Sequence, residues 1–243
     1  WKGMINIPES FDGFSVLNEE GEPVSIQRTK DALVAIVELA PLSFTTFSKG
    51  EPDELNFEQG HGLTLENDLI RYEFDKKGQV ISAFDKEAKK EVFGNAGNIL
   101  SLYEDRPNDW DAWDVDFFDR DALLEIAEST DTMPGSTGNV VKELQLSFTI
   151  GQSTIKQNIF LFPHTKRLDF DTHVNWKEKH KMLRVHFPVN VKSEQASFDI
   201  QYGHVKRNTH RNTSWDKAKF EVVGHKYADL SDHDYGVALM NDC

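Results

Sequence analysis

Two short stretches of the sequence contain most of the side chains that could bind a ligand. The first, residues 201–216, has two histidines, two arginines, two asparagines, an indole and a carboxylate, and it lacks the clean apolar–polar alternation of a structural strand. Few of these side chains could fill a core without unmet hydrogen bonds. We therefore expect a polar recognition surface, or a buried polar network that supports one. The candidate binding residues are His210, Asn212, Trp215 and Asp216.

The second stretch, residues 104–121, interleaves aspartates with aromatic residues. Carboxylates accept hydrogen bonds from pairs of sugar hydroxyls and indoles stack on sugar C–H faces, so this composition favours carbohydrate recognition. Its candidate residues are Trp110, Asp111, Trp113 and Asp114. Two carboxylates could also hydrolyse a glycosidic bond if they stood about 5 to 9 Å apart. A structural alternative is that the tryptophans fill the core, while the aspartates cap turns or pair with Arg106 or Arg120.

No metal site is predicted in this chain. His204 and His210 would lie roughly 20 Å apart on an extended strand, and no third ligand is evident. The aspartate spacing in the second stretch lacks the glycine and the terminal glutamate of an EF-hand calcium loop. Phosphate-binding glycine loops, G-x-S-x-G and C-x-x-C motifs do not occur in the sequence.

The composition is that of a globular protein, and it disfavours polyanionic partners. The 243 residues are 38% hydrophobic and 28% charged, with a formal net charge of −14. That charge argues against binding to nucleic acid or to an anionic membrane, which both require a basic patch. No apolar run approaches the roughly 18 residues of a membrane span. The single cysteine cannot form an intrachain disulfide.

Period-two alternation dominates the sequence and predicts an all-β fold. Hydrophobic residues alternate with polar ones in 70–74, 144–150, 155–161, 168–176 and 183–191. Such runs, separated by turns, predict a large antiparallel β-sandwich preceded by a small β unit. We expect the small unit to span residues 1–50 and the large domain 51–243. The one predicted helix is 121–129, and 130–139 is expected to be a flexible loop.

Both ligand-binding stretches resemble signatures of the α-mannosidases of glycoside hydrolase family 38, in the branch that includes the cytosolic enzymes. Residues 201–216, continued through 220–231, resemble one family motif. Residues 98–116 resemble the family's gN-LqLyeD-P pattern followed by WDAWD. With shorter matches, the last being 235–243, the resemblance covers roughly residues 60 to 243.

The resemblance implies a fold and a place in a larger protein. Family members carry an N-terminal α/β catalytic domain with zinc, an aspartate nucleophile and an acid/base carboxylate, followed by a helical domain and a large β-domain. That β-domain has the antiparallel supersandwich of galactose mutarotases. The present chain resembles its first part only. It starts at Trp1 without an initiator Met and ends at Cys243, where the family pattern continues, so we expect a fragment of a longer protein.

By the same resemblance, the parent would be a cytoplasmic, zinc-dependent enzyme that hydrolyses terminal α-mannosides with retention. The fragment would be inactive alone, without zinc or catalytic residues of its own. Its partners would be the catalytic domain of the parent and the mannoside substrate, and it could form homo-oligomers through an exposed interface. The candidate residues would either line the sugar cleft or stabilise the domain interface, and the sequence does not decide between these roles.

Two other functions remain open at this stage. A stand-alone carbohydrate-binding module would bind sugar through the same tryptophans and aspartates without chemistry. A mutarotase-like epimerase would require a paired general acid and base, such as a histidine and a glutamate, that face one pocket.

Overall fold

The computed structural model describes residues 2–110, 113 and 115–242, and for Asp119 and Arg120 the backbone alone. The first ten strands are β1 Lys2–Ile7, β2 Phe14–Leu17, β3 Ile26–Arg28, β4 Leu33–Glu38, β5 Ser48–Pro52, β6 Thr64–Glu66, β7 Ile70–Phe74, β8 Val80–Asp85, β9 Lys90–Glu91 and β10 Ile99–Glu104. The others are β11 Leu123–Ile126, β12 Ser129–Pro134, β13 Lys142–Ile150, β14 Ser153–Leu161, β15 Leu168–Asn175, β16 Lys181–His186, β17 Gln195–Ile200, β18 Gly203–Asn208, β19 Tyr227–Ser231 and β20 Gly236–Met240. The paired strands are antiparallel, so the predicted all-β sandwich class is confirmed.

Helical structure in the described residues is short. Two 3₁₀ turns span Glu9–Phe11 and Phe117–Asp121, and one α-helix, α1, spans Ser214–Ala218. Their lengths rule out a membrane-crossing helix in the described part of the chain. The helix predicted at 121–129 is wrong, because β11 and the start of β12 occupy that range. The flexible loop predicted at 130–139 is also partly wrong, since β12 pairs with β13.

The chain divides into two compact units, each assembled from two separate segments. Unit 1 contains residues 1–90 and 125–179, and unit 2 contains residues 91–124 and 180–243. This division follows spatial proximity. The boundary that the sequence predicts near residue 50 stays a prediction.

Unit 1 is built around a four-stranded sheet with the order β12-β13-β14-β15. Leu144, Leu146, Phe148 and Ile150 alternate with more exposed residues along β13, and β14 repeats this pattern beside it. This is the alternation expected where one sheet face packs on a core. The turn between β7 and β8 packs against that face: a Cβ on Gly78 would lie 2.6 Å from the Phe148 ring. Two layers therefore enclose the core of this unit.

The N-terminal strands are joined to this core by polar and apolar contacts. The buried Gln27 amide donates to the Val141 carbonyl at 2.9 Å and accepts from the Val140 and Val141 amides. Val34 of β4 is buried in one cluster with the same two valines. The first 50 residues thus pack closely on the rest of unit 1.

Unit 2 contains two sheet regions with much less burial. β10 pairs with β16 along six residues, and the second sheet has the order β18-β17-β19-β20. Leu100, Ser101 and Leu102 of β10 are buried. By contrast, none of the described residues from 181 to 242 is fully buried.

An ion pair between a buried carboxylate and a partly exposed lysine connects the end of β8 with the loop between β14 and β15 in unit 1. The Asp85 side chain is only 3% exposed, and both of its oxygens accept from Lys166 Nζ at 2.9 Å. Asp85 Oδ1 also accepts from the backbone amides of Glu87 and Ala88 at 3.0 Å. Burial raises the pKa of Asp85, but these hydrogen bonds and the Lys166 charge outweigh it, so the pKa lies below the ordinary value.

We expect Asp85→Ala to lower the free energy of unfolding by about 3 kcal/mol at pH 7, because it leaves two partly buried backbone amides without their acceptor and leaves Lys166 with only the exposed Glu87 carboxylate. The matched control is Glu87→Ala. Glu87 also pairs with Lys166, at 2.7 Å, but its side chain is 63% exposed, so the expected cost is below about 1 kcal/mol. Chemical denaturation measures both, and equal costs would contradict the argument.

The same pair predicts a pH dependence. Because the folded pKa of Asp85 is depressed, its contribution to stability is present above the unfolded pKa of about 3.9 and is lost as the pH falls through the folded value. The unfolding free energies of the native protein and Asp85→Ala should therefore converge in acid. A constant difference down to the lowest measurable pH would contradict this assignment.

Candidate functional site

Most of the first predicted ligand-binding stretch lies on β18 and on the connection that follows it, residues 209–226. This connection contains one regular element, α1. Thr213 is the N-cap of α1: its backbone is extended, and its hydroxyl accepts from the Asp216 amide at 3.1 Å. Trp215 lies in the first turn of α1 and is 78% exposed. Asn212 precedes the cap and is also exposed.

Asp216 is the centre of the polar contacts around α1. Its Oδ2 accepts from the Thr213 hydroxyl at 2.7 Å, and its Oδ1 accepts from the Asn208 amide at 3.1 Å. The Thr213 hydrogen bond, followed by that of Asn208, holds the pKa of Asp216 below its usual range, and nearby His210 acts in the same direction. Asp216 is therefore a fixed anion at neutral pH.

His210 points one ring nitrogen towards this anion. Its Nδ1 lies 3.6 Å from Asp216 Oδ2, which is within ion-pair range but too long for a hydrogen bond. The Nδ1 atom is buried and lacks a hydrogen-bond partner among the described residues. Nε2 is then the ring nitrogen left for a ligand or another protein surface. The structure thus brings His210 and Asp216 together, as a pair rather than as a metal site.

Three arginines contact residues 220–223, a segment of the same connection. We name this arrangement the guanidinium clamp. Arg184 of β16 pairs with the Glu221 carboxylate. Arg207 of β18 donates to the Val223 carbonyl at 3.3 Å, and Arg211 donates to the Phe220 carbonyl at 3.4 Å. The clamp supplies the contacts that a ladder of strand hydrogen bonds would otherwise provide here.

The clamp leaves some donors unused. Arg184 Nε and Nη2, and Arg207 Nε, are buried atoms for which no described residue is a hydrogen-bond acceptor. Buried donors of this kind require an acceptor, which water, a ligand or another polypeptide can supply. The Arg184 guanidinium also lies 5.0 Å from the centre of the Tyr103 ring, in cation–π range.

The second predicted stretch is also part of unit 2, and its tryptophans are exposed. Trp110 is 73% exposed and Trp113 is 88% exposed, so neither fills a core as the structural alternative required. Asp111 and Asp114 lie outside the described residues. The Asp116 carboxylate accepts a hydrogen bond from the Asn108 amide at 2.7 Å. Arg106 pairs with Glu104 at 2.9 Å.

One aromatic contact joins the two stretches. Phe117, in the 3₁₀ turn after the tryptophans, meets Phe220 of the guanidinium clamp edge to face, with ring centroids 5.3 Å apart. The exposed tryptophan loop and the connection that carries α1 are therefore parts of one surface region. Neither alternation nor spacing along the chain indicates this pairing.

Tyr103 and His186 lie beside Arg184 on the same face of the β10–β16 pair. The Tyr103 hydroxyl is 3.5 Å from His186 Nε2. Burial, and after it the Arg184 charge, lowers the pKa of His186, so its ring is neutral at pH 7. The amino-acid pattern does not indicate this contact, since Tyr103 lies on a strand some 80 residues away from His186.

An open depression of about 730 Å³ lies beside the end of β17 and the start of β19 in the β18-β17-β19-β20 sheet. Its polar groups bond mainly to one another: Lys226 N donates to Asp199 Oδ2 at 3.1 Å, and the Asn241 side chain donates to the His225 carbonyl at 2.7 Å. Gln201 Nε2 and His225 Nε2 are 3.4 Å apart. These contacts indicate a structural role for His225 and Lys226.

The described residues hold no cluster of three or more histidine, cysteine, aspartate or glutamate side chains that could bind a metal ion. His204 lies on the exposed face of β18, and the anion beside His210 is already bonded to Thr213 and Asn208. The donor set in the described part of the chain therefore does not fit zinc, which takes four ligands or three with an open position.

The capping of α1 makes a local prediction. Thr213→Val keeps the side-chain shape but removes the hydroxyl that bonds Asp216, so we expect about 1 kcal/mol less local stability. Amide exchange at residues 216–219 should then be about fivefold faster. Thr213→Ser retains the hydroxyl and should behave like the native protein. Equal rates in both variants would contradict a role for this cap.

Known proteins resemble this chain over most of its length. Residues 65–243 match the family described as glycosyl hydrolases family 38 C-terminal domain. Alpha-mannosidase G of Dictyostelium discoideum is 38% identical over 189 residues, covering 74% of this chain and 17% of that protein. Alpha-mannosidase 2C1 of Homo sapiens is 37% identical over 212 residues, covering 84% of this chain and 20% of that protein. The chain thus spans about a fifth of the length of these relatives.

A solved structure shares the fold. The crystal structure of an alpha-mannosidase from Enterococcus faecalis V583 matches 99% of this chain with a TM-score of 0.71, at 15% identity, and the match covers 35% of that protein. At this identity the likeness shows the fold alone. The family match over residues 65–243 is the stronger finding, and by it this chain belongs to the C-terminal domain family of the glycoside hydrolase family 38 enzymes.

Proposed function

We propose that this chain is the non-catalytic β-domain of a longer α-mannosidase, and that unit 2 forms one wall of the sugar-binding cleft. The observation that carries the proposal is the grouping of three exposed tryptophans with an ordered anion in one unit. Trp110, Trp113 and Trp215 are each more than 70% exposed. Asp216 directly follows Trp215, and hydrogen bonds from Thr213 and Asn208 hold its carboxylate in place. Exposed indoles beside a fixed carboxylate suit a pyranose ring.

Each group has a distinct expected task. The indoles would stack on the apolar face of a mannose unit and exclude water from that side. His210 would present Nε2 to a sugar hydroxyl, with Asp216 fixing the ring orientation behind it. The guanidinium clamp would hold the connection in place, and its unused donors would bond to oxygen atoms of sugar or of the catalytic domain. None of these residues is proposed as nucleophile, acid/base or metal ligand.

The longer protein would hydrolyse terminal α-mannosides with retention of configuration. The relatives named above are α-mannosidases, and the family match identifies this chain with their C-terminal part. Zinc and the catalytic carboxylates would belong to the catalytic domain outside this sequence. The isolated chain would therefore be inactive. We further propose a cytoplasmic location, on the resemblance of the two motifs to the cytosolic branch of the family. Given the formal charge of −14, we propose no nucleic-acid or anionic-membrane partner.

The first test is hydrolysis of an aryl α-mannoside by the 243-residue chain, with and without added zinc, and by the longer protein. We expect turnover by the longer protein and none by the chain alone. Zinc-dependent turnover by the chain alone would overturn the proposal, because it would place a catalytic site among the residues assigned here to a wall.

The second test is substitution of the tryptophans in the longer protein. Trp215→Ala and Trp113→Ala should each raise KM for an oligomannoside about tenfold, since an aromatic contact is worth about 1.4 kcal/mol. The matched control is Phe44→Ala, which removes an aromatic ring that is 87% exposed in unit 1. A KM unchanged by both tryptophan substitutions would reject the cleft assignment and leave an interface role.

A second candidate, a stand-alone carbohydrate-binding module, is favoured by the same exposed tryptophans. It predicts that the isolated chain binds mannosides, measured by calorimetry, and that Trp110→Ala weakens this binding. The mutarotase-like epimerase predicts anomer interconversion without hydrolysis, which polarimetry of the isolated chain detects.

A further inference from the structure

The two edges of the β18-β17-β19-β20 sheet differ sharply in composition. The edge strand β18 carries His204, Lys206 and Arg207, and charged side chains are a common protection of exposed sheet edges. The opposite edge strand, β20, is Gly236-Val-Ala-Leu-Met240 and carries neither a charge nor a proline. Within the described part of the chain, β19 is its only strand neighbour.

The register shows which backbone groups of β20 are unpaired. Asn241 N donates to the Lys226 carbonyl at 2.9 Å at one end of the β19–β20 pair, and Asp232 N donates to the Tyr235 carbonyl at 2.8 Å at the other. Hydrogen-bonded pairs alternate along an antiparallel ladder. Val237 and Leu239 therefore bond to β19. Ala238 and Met240 direct their amides and carbonyls away from it.

The side chains of β20 are also left in solvent. Leu239 is 51% exposed and Met240 is 56% exposed, and these neighbours point to opposite faces of the sheet. Phe198 and Ala228 share the face of Leu239 by register, and neither is fully buried. In unit 1, by contrast, Ile155, Ile159 and Leu161 of β14 are at most 1% exposed. Both faces and the free edge of β20 thus have the composition of a sheet interior.

We propose that a further strand of the same longer polypeptide pairs with β20, so that β20 is an interior strand of the native sheet. The length of the relatives argues for this occupant, because this chain spans 17% and 20% of two of them and leaves most of their polypeptide to supply it. The charged β18 edge receives no such strand. The inference depends on the proposed function only in that this chain is part of a longer protein.

Amide hydrogen exchange in the longer protein tests the pairing directly. The Ala238 and Met240 amides should exchange at least about a hundredfold more slowly than the His204 and Lys206 amides, which point outward from the β18 edge by the same alternation. The Thr209 N to Glu194 O bond at 3.0 Å sets that register. Exchange of Ala238 and Met240 as fast as that of His204 and Lys206 would overturn the proposal.

A second copy of the protein is the competing occupant. Protection of Ala238 and Met240 that falls on dilution, together with a dimer-to-monomer transition in ultracentrifugation, would assign the edge to self-association and would also overturn the proposal. Protection independent of concentration in a monomer supports it. The aryl α-mannoside assay on the same preparation reports separately on the proposed function, so failure of one does not imply failure of the other.

A proline pair gives an independent readout. Ala238→Pro removes an outward N–H without removing a bond to β19. It should therefore lower the stability only if another strand accepts a hydrogen bond from that N–H. We expect it to lower the Tm of the longer protein by about 5 °C more than Lys206→Pro, which removes the corresponding outward N–H of β18. Equal, small shifts for the two substitutions would contradict an added strand at β20.

Discussion

The guanidinium clamp is the interaction on which the candidate site depends. Residues 209–226 join two strands of one sheet but contain only five residues of helix, so few backbone ladder bonds fix their path. Arg184, Arg207 and Arg211 supply bonds to Glu221 and to two carbonyls of segment 220–223. Exposed hydrogen bonds and ion pairs of this kind contribute at most about 1 kcal/mol each, so the path of the segment depends on all three arginines together.

Two further contacts depend on this clamp. Phe220 packs edge to face on Phe117 and so relates the tryptophan loop to the clamp. Asp216 anchors α1 through Thr213 and Asn208, with His210 beside it. A change in the path of segment 220–223 would therefore displace both predicted ligand-binding stretches. The arginines that hold segment 220–223 therefore also hold the candidate ligand-binding residues in position.

The two units differ in how completely they bury their apolar surface. Unit 1 has a closed core, in which β13 and β14 alternate buried and exposed residues over nine positions each. Unit 2 keeps three tryptophans and both faces of β20 in solvent. Large exposed apolar groups in a protein of this composition mark surfaces that meet a ligand or another polypeptide. Under the proposal of a longer protein, incomplete burial in unit 2 and the short coverage of the relatives' length would have the same explanation, namely completion by the rest of that protein.

The sequence by itself determined the elements whose pattern is local. Period-two alternation predicted β7, β13 and β14, because successive side chains alternate across a strand. Residue types marked two candidate ligand-binding stretches, because aspartate with tryptophan suits sugar recognition, and this assignment stays a prediction. The sequence misjudged 121–139, where polar and small residues concealed β11 and β12, since pairing with a neighbouring strand overrides weak propensity. Only the tertiary structure decided that the tryptophans stand in solvent, that His210 pairs with Asp216, and that Arg184 contacts Glu221. Those contacts join residues that are distant or irregularly spaced in sequence, and only folding determines which groups meet.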